Sequence, residues 1–296
     1  MVTNPDPLPI VRTVEGLRSQ VRDWRRHGLS VALVPTMGAL HEGHLSLVAE
    51  ALSQADRVVT SVFVNPTQFA AHEDLGTYPR REARDAELLA GAGCAVMYAP
   101  TVAEMYPAGF VTTVSVGDAE TGGPSQGLEG AARPQMFGGV ALVVSKLLNQ
   151  VQADVAVFGE KDWQQLRVVR RMVADLDIPT RIVGVATSRD GHGLALSSRN
   201  AYLSEDELEV ARALNGVLAE AASKASAGGS VADLEQAASA ALIAAGFDRV
   251  DYVAIRRADD LSVFETNLIE GPARILAAAV VGRTRLIDNM AVPSGG

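Results

Sequence analysis

Cysteine is nearly absent: Cys94 is the only one in 296 residues. One thiol excludes an intrachain disulfide and any thiolate zinc cluster. Lysine is scarce too. Lys146, Lys161 and Lys224 stand against 23 arginines, so each lysine departs from the chain's habitual cation. Long apolar runs are missing. Even the Ala-rich stretch Ala273–Val281 falls far short of the roughly 18 residues a membrane span needs. The start, MVTNPDPLPIV, lacks the basic region and apolar core of a signal peptide. Positive charge is not in excess either. A net charge of −9 argues against a nucleic-acid or membrane partner, while leaving room for a local basic site for phosphates. What is present is 48% apolar and 21% charged residues, enough for a real core. A soluble, cytoplasmic protein of one large or two modest domains is expected.

Apolar spacing predicts a helix through Val14, Leu17, Val21 and Trp24, stopped at Gly28. A strand, SVALV, follows. A helix is expected from Leu45, and a buried strand over Val58–Val64. Helices are read over Arg81–Ala92, Gly138–Val151 and Asp162–Leu176. Strands are read over Ala95–Tyr98, Val155–Phe158 and Arg181–Val185. Near-continuous Val/Ile/Leu strands alternating with helices indicate α/β architecture with a mostly parallel sheet. Gly117–Pro134 reads as a long loop. After about residue 187 the character changes. A long Ala/Glu helix opens on the capping pair Ser204 and Glu207, a second helix spans Val231–Ala245, and three short strands read as an antiparallel set. The expected domains are 1–187 and 188–296.

Ligands of open α/β sheets bind beyond the carboxyl ends of the strands. Polar segments follow four strands here: PTMGALHEGH, NPTQF, GEKDWQQ and TSRDGHGLALSSRN, three of them punctuated by glycine. In the first, Gly38 and Gly43 let backbone amides approach a ligand, and His41 and His44 share one side of a helix start. That suits a triphosphate; a capped turn with incidental histidines is the plainer alternative. Zinc is disfavoured, because the metalloprotease pattern needs histidines four apart rather than three. Lys161 puts a compact ammonium after a strand, fit for phosphate or for a helix-start pair with Asp162. Ser197, Ser198 and Arg199 form either an anion clamp or a turn. Gln68 and Gln165, with Asn65, offer amides for the hydroxyls and carboxylate of a hydroxy acid.

Taken in order, PTMGALHEGH, VFVNPTQF, FGEKDWQQL and SSRN resemble the pantoate–β-alanine ligase (pantothenate synthetase) family over nearly the whole chain. The HxGH element alone would indicate only the wider nucleotidyltransferase superfamily. The resemblance implies a Rossmann-like parallel-sheet N-terminal domain and a smaller α+β C-terminal lid domain. It implies pantoate and β-alanine as substrates, ATP with Mg²⁺, and a homodimer. It assigns catalysis to His44, His41 and Lys161. It assigns ATP binding to Pro35, Thr36, Met37, Gly38, His41, His44, Gly159, Glu160, Lys161, Asp162, Ser188, Leu196, Ser197, Ser198 and Arg199. Substrate binding falls to Gln68, Gln165, Asn65 and Arg133, and Asp85 is the candidate metal ligand. Three positions depart from the family pattern. Met136 stands where RPxHF has histidine. His192 replaces an aspartate, which should alter hydrogen bonding at the hinge. Arg84 occupies a position that is acidic in some members.

Overall fold

The computed structural model describes residues 7–70, 73–117 and 122–293. In chain order the elements are β1 (Ile10–Val11), α1 (Val14–Arg26), β2 (Val31–Thr36), α2 (Glu42–Gln54), β3 (Arg57–Val62), α3 (Glu82–Gly91), β4 (Val96–Tyr98), α4 (Val102–Met105), α5 (Leu128–Ala132), α6 (Met136–Val151), β5 (Val155–Gly159), α7 (Trp163–Asp175), β6 (Arg181–Val185), α8 (Glu205–Ser226), α9 (Val231–Ala244), β7 (Arg249–Arg257), β8 (Ala273–Val281) and β9 (Thr284–Ala291). The chain divides into two compact units. One comprises residues 1–116, 133–160 and 168–186; the other comprises 117–132, 161–167 and 187–296.

The first unit is built on a parallel six-stranded sheet of order β1-β4-β3-β2-β5-β6. β2 and β5 are apolar and almost wholly buried, as strands covered on both faces must be. α1 starts where the Thr13 hydroxyl accepts from Gly16 N–H, buries Leu17, Val21 and Trp24, and stops before Gly28 at φ +73°. α6 packs under the sheet with most of its side chains buried. The strand order reverses between β2 and β5: the chain runs outward from β2 to β3 and β4, then returns to pair β5 with β2. Such a reversal opens a crevice at the carboxyl ends of the two central strands.

The second unit holds an antiparallel sheet of order β7-β8-β9. Alternation gives it two unlike faces. Ile275, Ala277, Ala279, Val281, Leu286, Val253 and Ile255 join α8 and α9 in one core. Tyr252, Arg274, Arg285 and Asn289 lie on the opposite face by register. α8 opens on a reciprocal cap: Ser204 N–H donates to the Glu207 carboxylate at 2.8 Å, and Glu207 N–H to the Ser204 hydroxyl at 3.2 Å.

Two expectations need correction, and one short strand was not foreseen. The strand expected over Val58–Val64 ends at Val62, because Asn65 caps a 3-10 turn over Pro66–Gln68. The long loop 117–134 contains α5. The two-residue edge strand β1 is too short for periodicity to reveal. No described helix is long and apolar enough to cross a membrane.

Candidate active site

β2 delivers Pro35 and Thr36 to the sheet's carboxyl edge. The Thr36 hydroxyl donates to the Ser61 carbonyl at 2.7 Å and accepts from Gly38 N–H at 3.3 Å, turning the chain sharply. Gly38 has φ +84°. That φ favours glycine, and a Cβ there would also sit 3.0 Å from Asp85 Oδ2 and 3.1 Å from Val62, tight contacts that these side chains would have to relieve. Ala39 follows at φ +50°, unusual for a residue with a side chain. The carboxylate of Asp85 on α3 holds it there. Asp85 Oδ2 accepts from Ala39 N–H at 2.9 Å, and Oδ1 from Leu40 N–H at 2.8 Å. Asp85 is 1% exposed. Burial pushes its carboxyl pKa up, against the pull of the two amides and of Arg81 and Arg84.

Each oxygen of Asp85, the expected metal ligand, accepts one loop amide, so this carboxylate also anchors the loop. Among the described residues no group of three or more His, Cys, Asp or Glu side chains is arranged to hold a metal.

His41 caps α2. Its Nδ1 accepts from Gly43 N–H at 3.2 Å, while its own backbone N–H donates to His44 Nδ1 at 3.3 Å. The two rings lie 4.1 Å apart, tilted by 46°. A nitrogen that accepts from an amide carries no proton, so the neutral form of each ring bears its hydrogen on Nε2. The cap thereby fixes two imidazole N–H donors at the start of a helix.

A second cluster follows β3. Asn65 Nδ2 donates to Gln68 Oε1 and to the Gly139 carbonyl, both at 3.1 Å; Asn65 Oδ1 accepts from the Tyr106 hydroxyl at 2.8 Å. Asn65 is 1% exposed, with both ends of its amide engaged within the protein. Gln68 Nε2 reaches Met37 Sδ at 3.0 Å, so the segments after β2 and β3 meet. Arg133, expected on substrate, is paired with Glu73 at 2.5 and 2.8 Å and donates to Met136 Sδ at 2.6 Å. Its Nη2 also reaches the Gln68 carbonyl at 3.4 Å, so Arg133 buttresses the Gln68 segment. Gly159 ends β5 and Glu160 begins the next 3-10 turn, completing the first unit's share of the expected residues.

Lys161, Asp162 and Gln165 belong to the second unit. Their segment is held on the polar face of the small sheet. Trp163 Nε1 donates to the Ala258 carbonyl at 3.2 Å, and the Arg274 guanidinium lies 3.6 Å over its ring. Gln164, 3% exposed, donates to the carbonyls of Pro124, Gln126 and Gly127 and accepts from Glu129 N–H. The Glu129 carboxylate in turn accepts from Tyr252 at 2.9 Å and from Arg285 at 2.6 and 2.8 Å. Burial, reinforced by the Glu129 charge, raises the Tyr252 phenol well above its ordinary range and keeps it a donor. Glu129 carried no motif and was missed; Gln164 lies within GEKDWQQ, where nothing set it apart from the expected Gln165.

Ser188 and Leu196 pair through backbone, Leu196 N–H donating to the Ser188 carbonyl at 2.9 Å. The turn between them is held by Asp190 Oδ1, which accepts from His192 N–H at 2.8 Å and Leu194 N–H at 2.9 Å. The His192 side chain is exposed. The Ser197 hydroxyl accepts from Arg199 N–H at 3.3 Å and caps the 3-10 turn Ser198–Tyr202.

A family model described as pantoate-beta-alanine ligase matches residues 9–291. Pantothenate synthetase of Caulobacter vibrioides is 60% identical over 284 residues, covering 96% of this chain and 98% of its own. That of Mesorhizobium japonicum is 56% identical with the same coverage. The crystal structure of pantothenate synthetase from Thermus thermophilus aligns with a TM-score of 0.87 at 45% identity, over 96% of this chain and 99% of that one. Pantoate-beta-alanine ligase from Francisella tularensis, complexed with beta-gamma ATP and beta-alanine, aligns at 0.80 and 30% identity, over 97% and 99%. With two sheets of matching architecture and the four ordered motifs inside the matched span, the chain belongs to the pantoate–β-alanine ligase family.

Proposed function

We propose that this chain condenses pantoate with β-alanine in two steps, through an enzyme-bound pantoyl adenylate. A carboxylate is a poor acyl donor because expelling oxide is prohibitive. In the first step a pantoate carboxylate oxygen attacks the α-phosphorus of ATP and pyrophosphate leaves. In the second, the free amine of β-alanine attacks the acyl carbon. AMP departs with the oxygen that came from pantoate, and the amine loses a proton.

The observation that carries this reading is the cap that holds both imidazoles of His41 and His44 as Nε2 donors beside a strand-order reversal. Preorganised donors aimed at developing phosphate charge supply most of what such a step needs. His44 and Lys161 act on the α-phosphate, with His41 beside them. Ser197, Ser198 and Arg199 grip the distal phosphates. Gly159, Glu160 and Asp162 flank the nucleotide. Gln68 and Gln165 hold pantoate, with Asn65 and Arg133 fixing Gln68. Mg²⁺ arrives as part of the MgATP substrate, held mainly by phosphate oxygens and water. The C-terminal domain from about residue 188 acts as a lid that keeps water from the adenylate. A cytoplasmic homodimer belongs to the same reading.

Pantoate-dependent exchange of labelled pyrophosphate into ATP tests it. Exchange without β-alanine, and AMP accumulation only with it, is the expected pattern. Pyrophosphate release independent of pantoate, or a stable nucleotide-linked product, would overturn it in favour of a simple nucleotidyltransferase.

A further inference from the structure

Two adjacent residues of β9 touch both expected anion-gripping segments of the second unit. Asn289 is 3% exposed, and its Nδ2 donates to the Lys161 carbonyl at 2.8 Å. Its Oδ1 accepts from Arg274 Nε, and Arg274 covers the ring of Trp163, two residues beyond Lys161. Asp288 is 3% exposed, and its carboxylate takes both ends of the Arg189 guanidinium, at 2.6 and 2.9 Å. Arg189 also donates to the Gly193 carbonyl at 3.0 Å and to the Asn289 carbonyl at 3.3 Å. Arg189 sits in the turn that ends at Ser197–Arg199, bridged to Ala195.

Neighbouring residues of a strand point to opposite faces. Asp288 therefore projects to the α8/α9 side with Leu286, and Asn289 to the polar side with Arg285. A single strand thus fastens one phosphate-binding segment on each of its faces. Its backbone is paired to β8 across the whole of β9. Neither residue was singled out by sequence, and the Asp288 carboxylate would repel phosphate. A buried carboxylate and a buried amide are costly unless fully bonded, and these two are bonded to the two segments.

We propose that Asp288 and Asn289 are positioning residues that set the spacing between Lys161 and the Ser197–Arg199 clamp; the inference rests on the ligase reading. Asn289→Asp keeps size and the acceptor for Arg274 but removes the donor to the Lys161 carbonyl. Asp288→Asn keeps size but halves the grip on Arg189. Misplacing a reacting group by about an ångström costs up to roughly 100-fold.

Each variant, alongside the wild type, is measured for pantoate-dependent pyrophosphate exchange, for steady-state kcat and KM with pantoate and β-alanine, for calorimetric MgATP affinity and for thermal midpoint. Asn289→Asp is expected to lower kcat at least about tenfold with KM for pantoate and β-alanine within about twofold. Asp288→Asn is expected to weaken MgATP binding, again with those KM values unchanged. Full activity in both, or a lowered midpoint with kcat and MgATP affinity intact, overturns the proposal. So does a uniform rise in every KM. Should Asn289→Asp fail to fold, Asn289→Ser with its kcat/KM split decides the matter. Absence of exchange in the wild type would sink the ligase reading itself, whereas the MgATP affinities would still report on positioning.

Discussion

Replacing Asp85 by alanine separates two readings of one carboxylate. The structure makes it the anchor of the Gly38–Leu40 turn: it accepts from two backbone amides at 2.9 and 2.8 Å while almost fully buried. Truncation strands both donors. A buried, unsatisfied donor costs about 1–3 kcal/mol, so two cost about 2–5 kcal/mol after local relaxation. The cost falls on a turn that already holds Ala39 at φ +50°. Hydrogen exchange at Ala39 and Leu40 reads the effect locally, which suits a chain of two units better than a global midpoint. A loss of about 2 kcal/mol multiplies the open population roughly 30-fold at 1.4 kcal/mol per decade. Turnover should fall with it, because His41 caps the helix that follows this turn. Excess magnesium should restore nothing. Unchanged exchange together with activity rescued by high Mg²⁺ would refute the anchor and make Asp85 a metal ligand.

Gly139→Ala places a Cβ 2.3 Å from the Thr67 carbonyl oxygen and 2.6 Å from Gln68 N, where only backbone can give. Overpacking of this kind costs about 1–3 kcal/mol; the thermal midpoint should fall and KM for pantoate should rise, and an unchanged KM would count against the Gln68 assignment. His44→Ala and Lys161→Ala should each slow pyrophosphate release by roughly 10²–10³, and stopped-flow rates within about twofold of wild type would remove them from the chemistry. Asp154 accepts from Arg25 at 2.6 Å and from Val31 N–H at 2.7 Å. Burial pushes its carboxyl up, but those two bonds outweigh it and the folded pKa is lowered. Its stabilisation is therefore complete above the unfolded value and lost as pH falls through the folded one. The midpoint gap between wild type and Asp154→Asn seen at neutral pH should close below about pH 4, and a gap that persists into stronger acid would contradict the pairing.

The parallel strands were legible because fully buried β2, β5 and their neighbours are nearly unbroken apolar runs, a signal that does not depend on partners. The same holds for the cap at Ser204, which needs only residues three apart. The segments proposed for the site were legible, because each follows a strand end, but the partners of their side chains were not. Asp85 meets the loop from 45 residues away, and Arg133 meets Glu73 from 60, so no local pattern tells a ligand from a buttress. Gly139 looks like any helix glycine until the Thr67 carbonyl is found against it. Gln164 and Gln165 are adjacent and identical in type; only burial shows that Gln164 pins the loop ahead of α5. β1 pairs with β4 through two residues, below any periodicity.

The fate of the carboxylate oxygen tests the adenylate route most directly. Pantoate labelled with ¹⁸O in its carboxylate is turned over with MgATP and β-alanine, and the nucleotide products are weighed by mass spectrometry. Attack on the α-phosphorus predicts AMP carrying one ¹⁸O, with unlabelled pyrophosphate. Label in inorganic phosphate together with ADP, or AMP without label, would contradict it.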